Sequence, residues 1–218
     1  MSTVNQKLIA AKAALTYINP DAILGMGTGS TVNFLLELLP TLDNPNLRVV
    51  ASSKLTAQRL VELGFKPLLP NEVTTIDLYI DGADEINGAL QMIKGGGAAL
   101  TGEKILASLA EKFICIAETR KRVAQLGKFP LPIEVIPMAQ GVVSRTITKL
   151  GGVPVRREGV ITDYGNVILD VSQLELAEPE LMEKTINQIP GVVTNGLFAL
   201  RKADLLLLGT DNGVRIEN

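Results

Sequence analysis

Asp81-Gly82-Ala83-Asp84-Glu85 places three carboxylates within five residues. Carboxylates packed that closely repel one another, and a hydroxyl-rich or cationic ligand relieves the repulsion. With no His nearby, a metal at such a cluster would be Mg or Ca; an Asp at a strand end also serves as a plain turn former. Lys94-Gly95-Gly96-Gly97 follows, and then Glu103. Three glycines free the backbone to wrap a ligand at an entropic cost, or serve as a flexible linker, and Lys94 can neutralise an oxyanion. Upstream, Gly27-Thr28-Gly29-Ser30-Thr31 offers hydroxyls and helix-opening N–H groups that suit phosphate oxygens, although a tight turn with an N-cap uses the same residues. Arg120-Lys121-Arg122 reads either as a second phosphate contact or as a solvated face.

Neither common nucleotide motif fits. Gly25-x-Gly27 is followed by Ser30 where a dinucleotide fingerprint needs its third glycine, and Ala51-Ser52-Ser53 has no acid for a ribose hydroxyl. No Gly-Lys-Ser/Thr follows to make a Walker A loop. The 218 residues contain no His, so Ser-His-Asp triads, His general bases and His-ligated metals are excluded. Cys115 is the one Cys, which forbids an internal disulfide and a Cys-rich zinc site. Lys+Arg of 21 against Asp+Glu of 23 gives a formal charge of −2, contrary to the basic face of a nucleic-acid binder. The chemistry falls to carboxylates, Lys, hydroxyls and backbone amides.

These residues need a scaffold, and the pattern predicts one. The opening segment reads as an amphipathic helix rather than a signal peptide, because Lys12 interrupts its apolar run. Ser2 or Thr3 is its N-cap, and Val4, Leu8, Ala11, Leu15 and Ile18 are its apolar stripe. No apolar stretch is long enough to span a bilayer. Strands are expected at 22–26, 47–51, 76–80 and 113–117, with helices through Leu39, over 55–63 and from the Lys94 loop to about Lys112. Strands alternating with helices imply a parallel sheet with helices on both faces, and its ligands belong beyond the carboxyl ends of the strands.

The pattern changes after Gly127. A linker is expected at 129–132, then strand 133–136, helix 142–150, strands 153–156 and 167–171, helix 180–189 and strand 192–198. That β-α-β-β-α-β order is a small α+β domain. The apolar run 203–208 reads as a buried strand returning to the first sheet. The expected division is therefore 1–128 plus 200–218 for the large domain and 129–199 for the small inserted one.

Thr28-Gly29-Ser30-Thr31, Asp81 through Asn87, Lys94 through Leu100 with Glu103, and Gly127 through Pro137 together resemble the type A ribose-5-phosphate isomerases. The resemblance runs in order along essentially the whole chain. It implies a Rossmann-like, mostly parallel α/β domain with a small inserted lid domain. It also implies interconversion of D-ribose 5-phosphate and D-ribulose 5-phosphate through an enediolate, in the non-oxidative pentose phosphate pathway. No cofactor or metal is expected, and the cytoplasm is the expected compartment. The expected partners are a sugar phosphate and further copies of the chain, as a homodimer or homotetramer, with neither nucleic acid nor membrane. The implied substrate contacts are Thr28, Gly29, Ser30, Thr31, Asp81, Gly82, Ala83, Asp84, Lys94, Gly95, Gly96, Gly97 and Lys121. Lys7 is a further candidate for the phosphate, and Glu103 is the catalytic base.

Asp81 and Asp84 are candidates for moving the proton that opens the furanose ring, and Lys94 for the oxyanion. On a helical wheel Glu103 falls on the flank between a solvent face (Lys104, Ser108, Glu111) and a buried face (Leu106, Leu109, Phe113). Partial desolvation there raises a carboxylate pKa, while Lys94 and a helix N-terminus oppose the rise. A surface Glu paired with Lys104 or Lys7 is the competing reading. Two other functions share the fold pattern. A sugar-phosphate sensor would keep the phosphate loop and lose the base, yet Glu103 and Lys94 are both present. An RNA-binding β-α-β-β-α-β module needs paired aromatics for stacking, and the predicted strands offer only Phe198.

Overall fold

Apolar runs of strand length alternate with helical segments through the first half of the chain, and such runs bury themselves by crossing over to parallel neighbours. The computed structural model describes residues 3–44 and 46–218 of the chain. In order the elements are α1 (Thr3–Leu15), β1 (Ile23–Met26), α2 (Ser30–Leu38), β2 (Arg48–Ala51), α3 (Lys54–Glu62), β3 (Ile76–Asp81), β4 (Glu85–Ile86) and β5 (Met92–Ile93). There follow α4 (Leu100–Leu109), β6 (Ala110–Glu118), β7 (Leu131–Val135), α5 (Gln140–Lys149), β8 (Val153–Arg156) and β9 (Val167–Ser172). The chain ends with α6 (Pro179–Asn187), β10 (Val192–Asn195), β11 (Leu197–Phe198), β12 (Leu205–Thr210) and β13 (Gly213–Glu217).

Two compact units divide the chain. The first runs to Ala83 and adds Gly102–Arg122 and Ala203–Asn218. Its sheet has the order β13-β12-β6-β3-β1-β2, parallel throughout except for the antiparallel edge strand β13. Taken in chain order, its parallel strands lie 2-1-3-4-5. The order reverses between β1 and β3, which is where an open parallel sheet leaves a crevice at its carboxyl ends. Leu24, Met26, Val32, Leu35, Leu36, Ile80, Ile114 and Leu207 are among the side chains of its core. Tyr79 and Phe113 stack with ring centroids 4.7 Å apart.

The first helix keeps only part of the expected stripe: Ala11 and Ile18 lie in the core and Leu15 packs against it. Val4 is 59% exposed, and the buried positions are Gln6, Ala10, Ala11 and Ala14. Small residues let α1 lie close to β12: a Cβ on Gly209 would fall 1.8 Å from the Gln6 carbonyl oxygen. Thr3 opens the helix, while Ser2, the alternative N-cap, lies outside the described residues. α4 ends at Leu109 rather than Lys112, because Ala110 already pairs with Ile76 and begins β6. The wheel that set Glu111 and Phe113 on helix faces thus ran past the helix. The edge strand β13 was not foreseen; its exposed Val214 and Ile216 give no alternation toward a core.

The second unit comprises Asp84–Thr101 and Val123–Lys202. Its four-stranded antiparallel sheet has the order β10-β7-β9-β8, so β7-α5-β8-β9-α6-β10 follows the expected β-α-β-β-α-β path. Ile133, Val135, Val143, Ile147, Leu169 and Ile186 are among its core side chains. Residues 131–132, expected in a linker, belong to β7. Pro132 is tolerated there because β10 pairing stops at Ile133, leaving no ladder bond for the missing N–H. The single strand expected at 192–198 is broken at Gly196, whose N–H donates to Pro132 O at 2.7 Å and whose carbonyl accepts from Lys94 N–H at 2.9 Å. Beyond it β11 joins β5 and β4 in a small three-stranded sheet. That pairing groups residues 84–101 with the second unit, although sequence pattern set them in the first. Among the described residues no helix is long and apolar enough to cross a membrane.

Candidate active site

In the first unit the chain leaves β1 into Gly27 and leaves β3 at Asp81. The Gly27 N–H donates to Ile80 O at 2.9 Å, which holds the two strand ends together. Asp81 is fully buried (0% exposed), and donors surround its carboxylate. Thr28 N–H (3.1 Å) and Gly82 N–H (2.7 Å) donate to Oδ1, and the Tyr79 hydroxyl donates to Oδ2. A Cβ at position 27 would lie 2.0 Å from that carboxylate, so only glycine admits the arrangement. Gly27 therefore makes room for Asp81, a reason distinct from the phosphate approach read from sequence.

The Thr28 hydroxyl sits among Ser52 Oγ (2.9 Å), Ser53 Oγ (2.8 Å) and Thr56 Oγ1 (3.0 Å), and Thr56 Oγ1 donates to Gly27 O at 2.8 Å. Ser53 also caps α3 by accepting from Thr56 N–H. The Ser52-to-Thr56 stretch thus supports the loop. Past it, Gly29 takes a positive φ of 138° and α2 begins at Ser30. The N–H groups that open a helix attract anions. Lys7 Nζ on α1 donates to Ser30 Oγ at 2.7 Å, and Thr31 is buried in the first turn.

Lys121 lies on the Thr119–Lys121 turn that follows β6. Gln6 Oε1 accepts from the Thr119 hydroxyl (2.8 Å) and N–H (3.3 Å), while its Nε2 donates to Asp211 Oδ1 at 2.8 Å. This buried amide ties the turn to α1 beside Lys7. Glu103 stands in the first turn of α4 and is 3% exposed, which removes the surface reading. The Tyr79 phenol is held well above its ordinary pKa, first by burial and then by the negative charges of Asp81 and Glu103. It stays protonated as a donor to Asp81.

The second unit carries the other predicted residues. Asp84 Oδ2 accepts the Gly96 N–H at 2.7 Å, and Asp84 N–H donates to Ile93 O at 2.8 Å. A Cβ on Gly96 would lie 2.7 Å from Asp84 Oδ1. Gly95 has a positive φ of 101° and Gly97 is exposed. Lys94 is 2% exposed, with its ammonium 5.4 Å from the Phe198 ring centroid, a cation–π contact. Glu85 departs from the expected acidic cluster: it accepts the N–H groups of Gly127 and Phe129, both at 2.7 Å, and anchors their loop. Each of the three carboxylates is thus met by its own donors. Among the described residues no three His, Cys, Asp or Glu side chains are grouped to hold a metal ion.

Sequence reasoning missed Tyr79, Ser52, Gln6 and Arg157. A signal existed for Tyr79, which shares a strand face with Asp81 two residues on. Gln6 and Arg157 act across 113 and 62 positions of chain, and no local pattern marks them.

Known proteins agree with this architecture. Residues 48–213 match the model of the ribose 5-phosphate isomerase A (phosphoriboisomerase A) family. A ribose-5-phosphate isomerase A of Haemophilus influenzae is 52% identical over 217 residues, 99% of each chain. The crystal structure of ribose 5 phosphate isomerase A from Neisseria gonorrhoeae is similar with a TM-score of 0.97 at 45% identity, covering 99% of this chain and 97% of that one. A D-ribose-5-phosphate isomerase in complex with phospho-erythronic acid has a TM-score of 0.95 at 37% identity, over 99% of both chains. The match passes through both units in chain order, and the chain belongs to the ribose 5-phosphate isomerase A family.

Proposed function

We propose that the chain interconverts D-ribose 5-phosphate and D-ribulose 5-phosphate with Glu103 as the base. The observation that carries this reading is a carboxylate buried in the first turn of α4 in a member of this family. The Glu103 carboxylate takes the C2 proton of the open aldose. The electron pair moves into a C1–C2 double bond, and O1 becomes the charged oxygen of an enediolate. A proton passes from O2 to O1, and Glu103 returns its proton to C1, giving the ketose. Adjacent carbons let one carboxylate serve both steps, so neither His nor a redox group is needed.

Lys7, Ser30, Thr31 and Lys121 hold the phosphate at the α2 N-terminus, where N–H groups and two ammonium charges oppose its charge. Asp84 and Lys94 act on the ring oxygen and O1 during ring opening, and Lys94 with the Gly95–Gly97 backbone stabilises the enediolate. Asp81, enclosed by donors, acts by holding the Thr28 and Gly82 amides. It is a positioning residue here rather than the proton shuttle its sequence position suggested. A relative binds phospho-erythronic acid, whose carboxylate resembles the planar C1–C2 end of an enediolate, consistent with a site built for that charge. The working assembly is a homodimer or homotetramer in the cytoplasm, which sedimentation velocity on the purified protein tests for its oligomeric part.

The experiment is direct. Ribose 5-phosphate is incubated with the protein in deuterated solvent, and ketose formation is followed together with loss of the C2 proton by NMR. Ketose should accumulate, with deuterium entering at C1 or the proton passing from C2 to C1. No ketose above the protein-free rate sinks the proposal.

A further inference from the structure

The glycine loop poses a physical problem. Consecutive glycines cost more conformational entropy to order than any other residues, and a poorly ordered loop cannot present preorganised donors. One side chain in the second unit answers it. Arg157 follows directly on β8, and its N–H donates to Ile168 O at 2.9 Å, so its backbone extends the sheet. Its Nε and Nη2 form a fork on Asp170 of β9, at 2.8 Å to Oδ2 and 2.5 Å to Oδ1. The remaining nitrogen, Nη1, donates to two loop carbonyls, Gly95 O at 3.1 Å and Gly96 O at 3.0 Å. The side chain is 17% exposed, so most of it is withdrawn from water.

A trans peptide sets its carbonyl and its N–H on opposite sides, and among the described residues there is no cis peptide. The Gly95–Gly96 peptide is gripped at both ends, by Arg157 on the carbonyl and by Asp84 on the N–H. The next peptide has its carbonyl on the same Nη1, which turns the Gly97 N–H away from Arg157. We propose that Arg157, held by Asp170, is a positioning residue that aims the Gly97 N–H at the enediolate oxygen. The inference rests on the isomerase reading and adds a residue to it. Lysine does not replace this geometry, because a single ammonium offers no planar fork to grip Asp170 while reaching two carbonyls.

The test compares wild type, Arg157→Lys and Arg157→Ala, with ribose 5-phosphate as substrate. Both variants should lose turnover by roughly 10–100-fold, somewhat less than deleting an oxyanion donor outright, with KM changed by less than about threefold. Millimolar guanidinium should restore part of the turnover of Arg157→Ala, because Asp170 remains to seat it, and should leave Lys121→Ala unrescued. If Arg157→Lys does not fold, Asp170→Asn carries the same test, since it keeps the side-chain shape and weakens the fork. Wild-type turnover in a folded Arg157→Lys, or in Asp170→Asn where that stands in, overturns the inference. So does a loss that tracks the unfolded fraction and resists guanidinium. Wild-type protein without isomerase activity instead overturns the proposed function, so the two failures are distinct.

Discussion

Asp81 and Asp84 stand three residues apart, yet they belong to regions organised in different ways. Asp81 closes the end of β3 in the first unit. Its surroundings are strand ends and a fully buried phenol, and a neighbouring glycine is there because nothing larger fits. Asp84 opens the second unit and meets a run of three glycines, and what orders them is an Arg157–Asp170 ion pair reaching over from a sheet. In the first region position follows from packing, so geometry and stability are inseparable. In the second it follows from a polar clamp on a pliant backbone, so geometry can be lost while the fold survives. Loops tuned for chemistry are commonly drawn from the less stable parts of a structure.

The largest effect should come from the group that departs from this rule. Glu103 is buried in the first unit, but its proposed role is chemical. Glu103→Gln keeps the shape and removes the base, and turnover should fall at least ~10²–10⁴-fold with Tm nearly unchanged. Exchange of the C2 proton with deuterated solvent at the wild-type rate would show that another group is the base. Gly27→Ala tests the packing side of the comparison. Its Cβ must displace the Asp81 carboxylate, and overpacking of this kind costs about 1–3 kcal/mol. Stability in urea and turnover should fall together; a loss of turnover alone would break the distinction drawn between the two regions.

Lys121→Ala sharpens the comparison at the phosphate. An anchor used in ground and transition states alike should raise KM, roughly tenfold for one charge-assisted hydrogen bond, and leave kcat near wild type. A drop confined to kcat would remove Lys121 from the anchor. The smallest effect concerns Tyr79 and pH. Burial, with the charges of Asp81 and Glu103, lifts the phenol above its ordinary value. A group whose folded pKa is raised contributes stability that is whole below its unfolded pKa, near about 10 for Tyr, and is lost as pH rises toward the folded value. Tyr79→Phe should therefore be less stable than wild type at pH ~8, and the gap should narrow above pH ~10, measured by urea midpoints. An equal gap at both pH values would mean that the phenol does not titrate as its surroundings require.

Much of the scaffold could be read along the chain. Strands and helices of the first unit fall within a few residues of their expected places, because apolar period and turn residues act locally. The inserted β-α-β-β-α-β path was legible for the same reason. Failures came where a distant partner decided. The α1 stripe misled because its apolar residues did not all turn inward: Val4 faces outward, while Gln6 is buried by bonds to Thr119 and Asp211. The strand through 192–198 broke because Gly196 must meet both Pro132 and Lys94. Glu85 looked like part of an acid cluster until two amides of another loop claimed it.

By itself the sequence determined that this chain has no histidine, that carboxylates, lysines, hydroxyls and backbone amides are what it offers for chemistry, and that Gly27–Thr31, Asp81–Asp84, Lys94–Gly97 and Glu103 are the residues to examine. Residue type and short spacing set those properties, and both are visible in one dimension. Only the tertiary structure decided the 2-1-3-4-5 strand order, the enclosure of Asp81 by Tyr79, Thr28 and Gly82, and the hold of Arg157 on two glycine carbonyls. Hydrogen-bond partners of buried groups are chosen by what lies within about 3 Å after the chain has folded. Sequence separation has no bearing on that distance, and so no local pattern announces it.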